Sequence, residues 1–183
     1  MILSLNPGLN PIDYYAEVHC PEYRQALLAN LRNERTSDEF PNLFLDPAFS
    51  FHSGFKYWHG KLSALIDDVK KREGESRRVV LSRFARSVAM LELLPYHSEQ
   101  FRVPAGLMNR LKSVELARMF AKDILIPAAR KSEKLIIVAR GSFWEIRKEK
   151  SVIVYRGSEA RGFSLTPNSP GGKAILQFFG GSR

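Results

Sequence analysis

Cysteine is nearly missing from this 183-residue chain, in which Cys20 stands alone. A single thiol excludes an internal disulfide framework and any iron–sulfur or zinc site built from several thiolates. There are four histidines. His52 and His59 are not at a helical metal-ligand spacing, and His19 beside Cys20 is an isolated pair, so neither a metal nor another cofactor is expected. No apolar run approaches the roughly 20 residues that span a bilayer. The opening MILSLNPG has no basic segment and no long apolar stretch, so it does not read as a signal peptide. A reduced, cytoplasmic protein with no membrane partner is the expectation. Also missing are a glycine-rich phosphate loop, a dinucleotide fingerprint and a serine in a nucleophile elbow.

Acidic residues are scarce in one part of the chain only. Residues 1–76 hold 8 basic and 11 acidic side chains, whereas residues 77–183 hold 20 basic and 8 acidic, a local net charge of +12. A basic half suits a polyanion, because Lys and Arg displace the counterions of phosphates. DNA or RNA is the partner this predicts; a solvated basic surface with no partner is the plainer alternative. Within this half, Arg83 and Arg86 lie three apart on a short basic helix and can share a surface. Lys173 follows two glycines at a helix start and suits a backbone phosphate.

What is present in pattern is an alternation of strands and helices. Ile2–Leu5 reads as a strand closed by Asn6-Pro7-Gly8. Residues 21–33 have helical spacing, residues 34–56 form a long excursion, and residues 58–72 place Leu62, Leu65, Ile66 and Val69 on one helical face. Residues 77–86 read as a short helix, 88–94 as a buried strand, 107–130 as a long helix, and 134–139 as a strand. A short helix at 143–146, strands at 152–155 and 163–166, and a helix at 171–179 complete the chain. The expectation is one domain over residues 1–183, an α/β three-layer sandwich with a mostly parallel, four-stranded central sheet flanked by helices. Ligands of such sheets bind beyond the carboxyl ends of the strands. The loops expected there carry Asn6, Gly8 and Asn10, then His97, then Arg140-Gly141-Ser142, then Asn168 and Ser169.

Those loops resemble the uracil-DNA glycosylase superfamily. A first strand ending in Asn6-Pro7-Gly8 is similar to the first motif of its Asn-type branches, the mismatch-specific and the single-strand-selective glycosylases. Leu93-Leu94-Pro95-Tyr96-His97 and Pro167-Asn168-Ser169-Pro170 stand where the family has a proline-bearing middle loop and a late DNA-wedging loop. Phe44-Leu45-Asp46-Pro47 and the aromatic run to Trp58 resemble uncharacterised bacterial members. Two departures stand out: the late loop has no histidine, and the chain starts inside the first strand, without the preceding helix of most members.

The resemblance implies hydrolysis of an N-glycosidic bond after a base, uracil or a related deaminated one, has been flipped out of the stack. Asn6 then positions the attacking water through its amide oxygen; the plain reading is a turn cap. Asp46 is either a desolvated base or an Asx-turn before Pro47. Phe44 and Phe55 are stacking surfaces or core. His97, Asn168 and Ser169 read a base edge or close their turns, and Gly8 and Asn10 line the same loop. A non-catalytic nucleic-acid-binding protein on the same fold is the competing reading.

Overall fold

The computed structural model describes residues 1–32, 34, 37–98, 100–104 and 106–180. The last residue of the helix expected over 21–33 lies outside them. The chain divides into two compact units: residues 1–7, 90–164 and 168–183 form one, and residues 8–89 with 165–167 form the other.

The first unit holds the sheet. Strands β1 (Ile2–Ser4), β2 (Met90–Glu92), β3 (Ile136–Val138) and β4 (Val152–Val154) are all parallel, in the order β2-β1-β3-β4. Ile2 pairs with Met90 on one side and Ile137 on the other, and Ile136 pairs with Val152. Alternation sends Leu3, Ile136, Val138 and Val152 to one face, where they pack with Val114, Ala121, Leu125, Ala129 and Trp144. Ile2 and Ile137 point to the opposite face and are each 1% exposed, so both faces of the sheet are covered. This is the α/β sandwich that unbroken apolar strands require.

The long helix expected over 107–130 is present in altered form. A 3-10 turn (Met108–Arg110) precedes α5 (Lys112–Phe120), which widens into a π-turn at Ala121–Leu125 before α6 (Ile126–Arg130). Pro127 offers no N–H to the carbonyl one turn back, and the wider turn accommodates that loss. Residues 163–166 join no strand; α7 (Gly141–Trp144) follows β3, and after β4 the chain forms α8 (Gly157–Arg161) and later α9 (Pro170–Gly180). The indole of Trp144 is 2% exposed and donates to the Ser4 carbonyl at 2.8 Å, so its polar atom is satisfied in the core.

The second unit is helical. Helix α1 (Pro11–His19) was hidden from pattern reading because Ile12, Tyr15 and Val18 face outward; its start is fixed by Pro11 and by Asn10, whose side chain accepts from the Ile12 N–H. Helix α2 (Pro21–Leu31) follows. Helix α3 (Ser53–Glu73) begins five residues earlier than its apolar spacing suggested and buries Phe55, Trp58, Leu62, Leu65, Ile66 and Val69. It ends at Gly74, whose φ of 68° suits a residue without a Cβ. Helix α4 (Arg77–Ser87) buries Val80, Leu81 and Phe84. No helix among the described residues is long and apolar enough to cross a membrane.

Candidate functional site

The strand order places a reversal of winding between β1 and β3. In a doubly wound sheet the crevice at such a reversal, beyond the carboxyl ends, is where ligands lie. Asn6 follows β1 there, and Arg140-Gly141 follows β3. Gly141 is required by packing: a Cβ on it would meet Val154 Cγ1 at 2.2 Å and the Tyr155 carbonyl oxygen at 3.1 Å. Arg140 is half-buried and makes no ion pair or hydrogen bond among the described residues.

Asn6 is held in a defined orientation. Its Nδ2 donates to the Pro7 carbonyl and to Ser98 Oγ, both at 2.8 Å, and Ser98 N donates to the same Pro7 carbonyl at 3.3 Å. A carbonyl can only accept, so the contact with Pro7 identifies the amide nitrogen. Both amide hydrogens are then in use, and Oδ1 keeps its lone pairs with no partner among the described residues. An oxygen fixed in this way can accept from a water and orient it.

A carboxyl that pattern reading passed over lies at the same edge. Glu92, at the end of β2, sits in register opposite Ser4 of β1. Burial pushes its carboxyl up to about 7, with the neighbouring Ser4 hydroxyl opposing weakly. Such a carboxyl exchanges its proton near neutral pH. Its only sequence signal was a charged residue interrupting an apolar strand, Met90-Leu91-Glu92-Leu93-Leu94.

The remaining expected site residues are divided between the units. In the sheet unit, His97 is exposed on the loop after β2, next to Ser98. Asn168 is exposed and Ser169 half-buried, in a turn that follows α8 rather than a strand. The amides expected to bind phosphate at the start of α9 are occupied: Gly171 N donates to the Tyr155 hydroxyl at 2.8 Å and Gly172 N to Ser169 Oγ at 3.1 Å. Lys173 is exposed beside them, and its own N–H goes to the Ser169 carbonyl.

In the helical unit, Gly8 is exposed, and Asn10 caps α1. Asp46 caps a 3-10 turn, accepting from Ala48 N at 2.9 Å. That is the Asx-turn reading of this residue, and it replaces the desolvated base. The Phe44 ring is wedged against Gly54, where a Cβ would stand 2.6 Å from it, and Phe55 is core, stacked on His59 at 5.0 Å. Neither ring is a free stacking surface. Arg83 is committed to Glu73 and, at 3.0 Å, to Glu75. Its helix neighbours Arg77 and Arg78 pair with Asp67 and Glu39. Arg86 is exposed with no such partner among the described residues.

The helical unit also contains a buried polar cluster that the sequence did not announce. Asp13 of α1 is 3% exposed and accepts from Ser53 N at 3.0 Å and from Ser53 Oγ. His52 Nε2 lies 3.5 Å from the same carboxylate, and His52 Nδ1 accepts from Gly54 N at 2.9 Å. An accepting Nδ1 leaves the imidazole proton on Nε2, facing Asp13. The ring is stacked between Tyr23 and Phe44. The cluster fastens the start of α3 to α1.

A shallow groove of about 230 Å³ lined by Met108, Val114, Arg118 and Met119 contains none of the expected site residues. Its Arg118 is used up on the Phe143 carbonyl, Asn109 and Glu145. No three His, Cys, Asp or Glu side chains among the described residues form a group able to hold a metal ion. No family model matches the sequence, no curated protein matches it, and no solved structure matches the fold.

Proposed function

We propose that the protein is a DNA glycosylase-like hydrolase that removes uracil or a related deaminated base from DNA. The observation that carries this reading is the amide of Asn6, oriented by Pro7 and Ser98 so that Oδ1 is left to accept from a water. Cleavage of an N-glycosidic bond builds positive charge on the sugar, and the departing base becomes anionic. A water held in line with the sugar carbon lowers the barrier by positioning. Glu92 takes the place that Asp46 held as the candidate carboxyl, because its carboxyl stands near its midpoint at neutral pH. Arg140 supplies positive charge for a phosphate or for the departing base.

Oligonucleotides carrying single modified bases, followed by alkaline cleavage, test the reading directly. Asn6→Ala should lower turnover by about 10²-fold or more, the scale of a lost positioning contact, and leave DNA affinity nearly unchanged. Full activity in Asn6→Ala would reject the assignment. A second reading, a non-catalytic nucleic-acid-binding protein, is favoured by the late loop's lack of a histidine. It stands if the wild type excises no base from the panel and still binds DNA.

A further inference from the structure

The sheet unit carries a second concentration of charge, at the end of the sheet opposite Asn6. Two loops enter the amino ends of neighbouring strands: residues 131–135 lead into β3 and residues 145–151 into β4. Between them they present Lys131, Lys134, Arg147, Lys148 and Lys150, all exposed and all without a hydrogen bond or ion pair among the described residues. Contrast α4, where Arg77, Arg78 and Arg83 are each matched by a carboxylate.

The loops are fixed to each other. Arg130 forms a two-pronged pair with Glu149, Nε to Oε2 and Nη2 to Oε1, both 2.7 Å. Ile136 N donates to the Ser151 carbonyl at 2.9 Å, and Glu149 of the second loop bridges to Val152 at the start of β4. The bidentate pair consumes one cation and one carboxylate of the edge and leaves the other five cations in place. Each loop also opens on a non-glycine residue held in the left-handed region, Ser132 at φ 61° and Glu145 at φ 58°. In the first, the Glu133 and Ser132 amides close onto the Ala128 and Ala129 carbonyls, turning the chain sharply after α6. Backbone strain of this kind gathers at functional sites.

We propose that this edge, formed by the α6–β3 and α7–β4 loops, is a binding surface for the phosphate backbone of a nucleic acid. It is separate from the Asn6 edge and does not depend on excision chemistry there. Fixed cations without internal partners gain the most from phosphate, since no ion pair has to be broken first. An anionic membrane fits less well. The exposed positions of the two loops are Lys, Arg, Ser and Glu, while Ile146 is buried and Leu135 half-buried, so no exposed apolar side chain is offered to a bilayer. With no side chain shaped to read a base edge, the surface should bind without sequence preference.

The test is fluorescence anisotropy of the full chain with a labelled, unmodified DNA duplex across a salt series. The triple variant Lys134→Gln, Arg147→Gln, Lys148→Gln is expected to bind roughly 10- to 100-fold more weakly, with the log–log salt slope shallower by about 2 to 3. The control triple Lys56→Gln, Lys70→Gln, Lys71→Gln removes the same charge from exposed positions of α3 and should bind like the wild type. Wild-type binding by the edge triple, or equal weakening by both triples, overturns the proposal. A measurement on the wild type guards against a folding defect: the duplex should protect Lys134, Lys148 and Lys150 from acetylation. Unchanged reactivity under saturating duplex, or protection by phosphatidylserine vesicles and not by DNA, also overturns it. Base excision is read separately, so a protein that excises nothing and yet shows this slope change loses the function proposed above and keeps this surface.

Discussion

The two units use charge in opposite ways. The sheet unit holds 16 basic and 8 acidic residues, a net charge of +8, while the helical unit holds 12 basic and 11 acidic, a net charge of +1. In the helical unit Arg77, Arg78 and Arg83 of α4 are tied to Asp67, Glu39, Glu73 and Glu75, and of the α4 arginines only Arg86 lacks such a partner among the described residues. In the sheet unit most lysines and arginines of the strand-entry loops have no such partner among the described residues. A sum over the sequence counts both kinds alike. Only unpartnered cations can be spent on a polyanion, so a basic sequence segment is a weaker guide than a basic segment whose carboxylates lie elsewhere. The units also differ in what they bury: an acceptor network around Asp13 in one, a lone carboxyl at Glu92 in the other.

Asp13→Ala should have the largest effect on stability. It strips Ser53 and His52 of their acceptor in a buried place, and should cost about 3–4 kcal/mol in urea denaturation. A loss below about 1 kcal/mol would mean that the cluster is not what secures α1 to α3.

Glu92 should give the sheet unit a pH dependence that the Asp13 network does not explain. Its carboxyl titrates near 4.5 in the unfolded chain and at about 7 in the folded one. Between those values the folded chain keeps a proton that the unfolded chain has released. Stability from this group is therefore fully present below about 4.5 and declines as pH rises to about 7, by roughly 3 kcal/mol in all. Glu92→Gln should flatten that part of the curve and stabilise the protein at pH 8. A variant curve parallel to the wild type would assign the slope to other groups.

The smallest expected change is at Ser132. Replacing it with glycine removes the cost of a Cβ at φ 61° and should raise stability by about 1 kcal/mol. A loss of stability would show that the Ser132 side chain contributes more than its backbone costs.

Much of the architecture could be read from local pattern. Unbroken apolar runs gave β1 and β3 within a residue or two, because a strand covered on both faces has no polar side to confuse it. Helix α3 followed from apolar spacing, and α4 matches the short basic helix read over 77–86. Helix α1 did not, since its outward Ile12, Tyr15 and Val18 erase the amphipathic contrast. Residues 163–166 looked like a strand because apolar and polar residues alternate there, yet they pair with no neighbour.

At the candidate site, Asn6 could be named in advance, because Asn-Pro after an apolar run marks the end of the first strand. Its orientation could not, since that depends on Ser98, 92 residues away. Asp46 and Glu92 make the same point in reverse. Both are single carboxylates among apolar neighbours in the sequence, Phe44-Leu45-Asp46-Pro47 and Leu91-Glu92-Leu93. Asp46 finds a backbone N–H two residues on and serves as a cap, whereas Glu92 stands in a strand whose neighbour offers it only Ser4. Local residue order determined most of the elements, the sense of the sheet and the position of Asn6. Which charges were already paired, and which carboxyl was stripped of water, was decided by tertiary structure, because solvation and ion pairing depend on neighbours that the chain brings together only when folded.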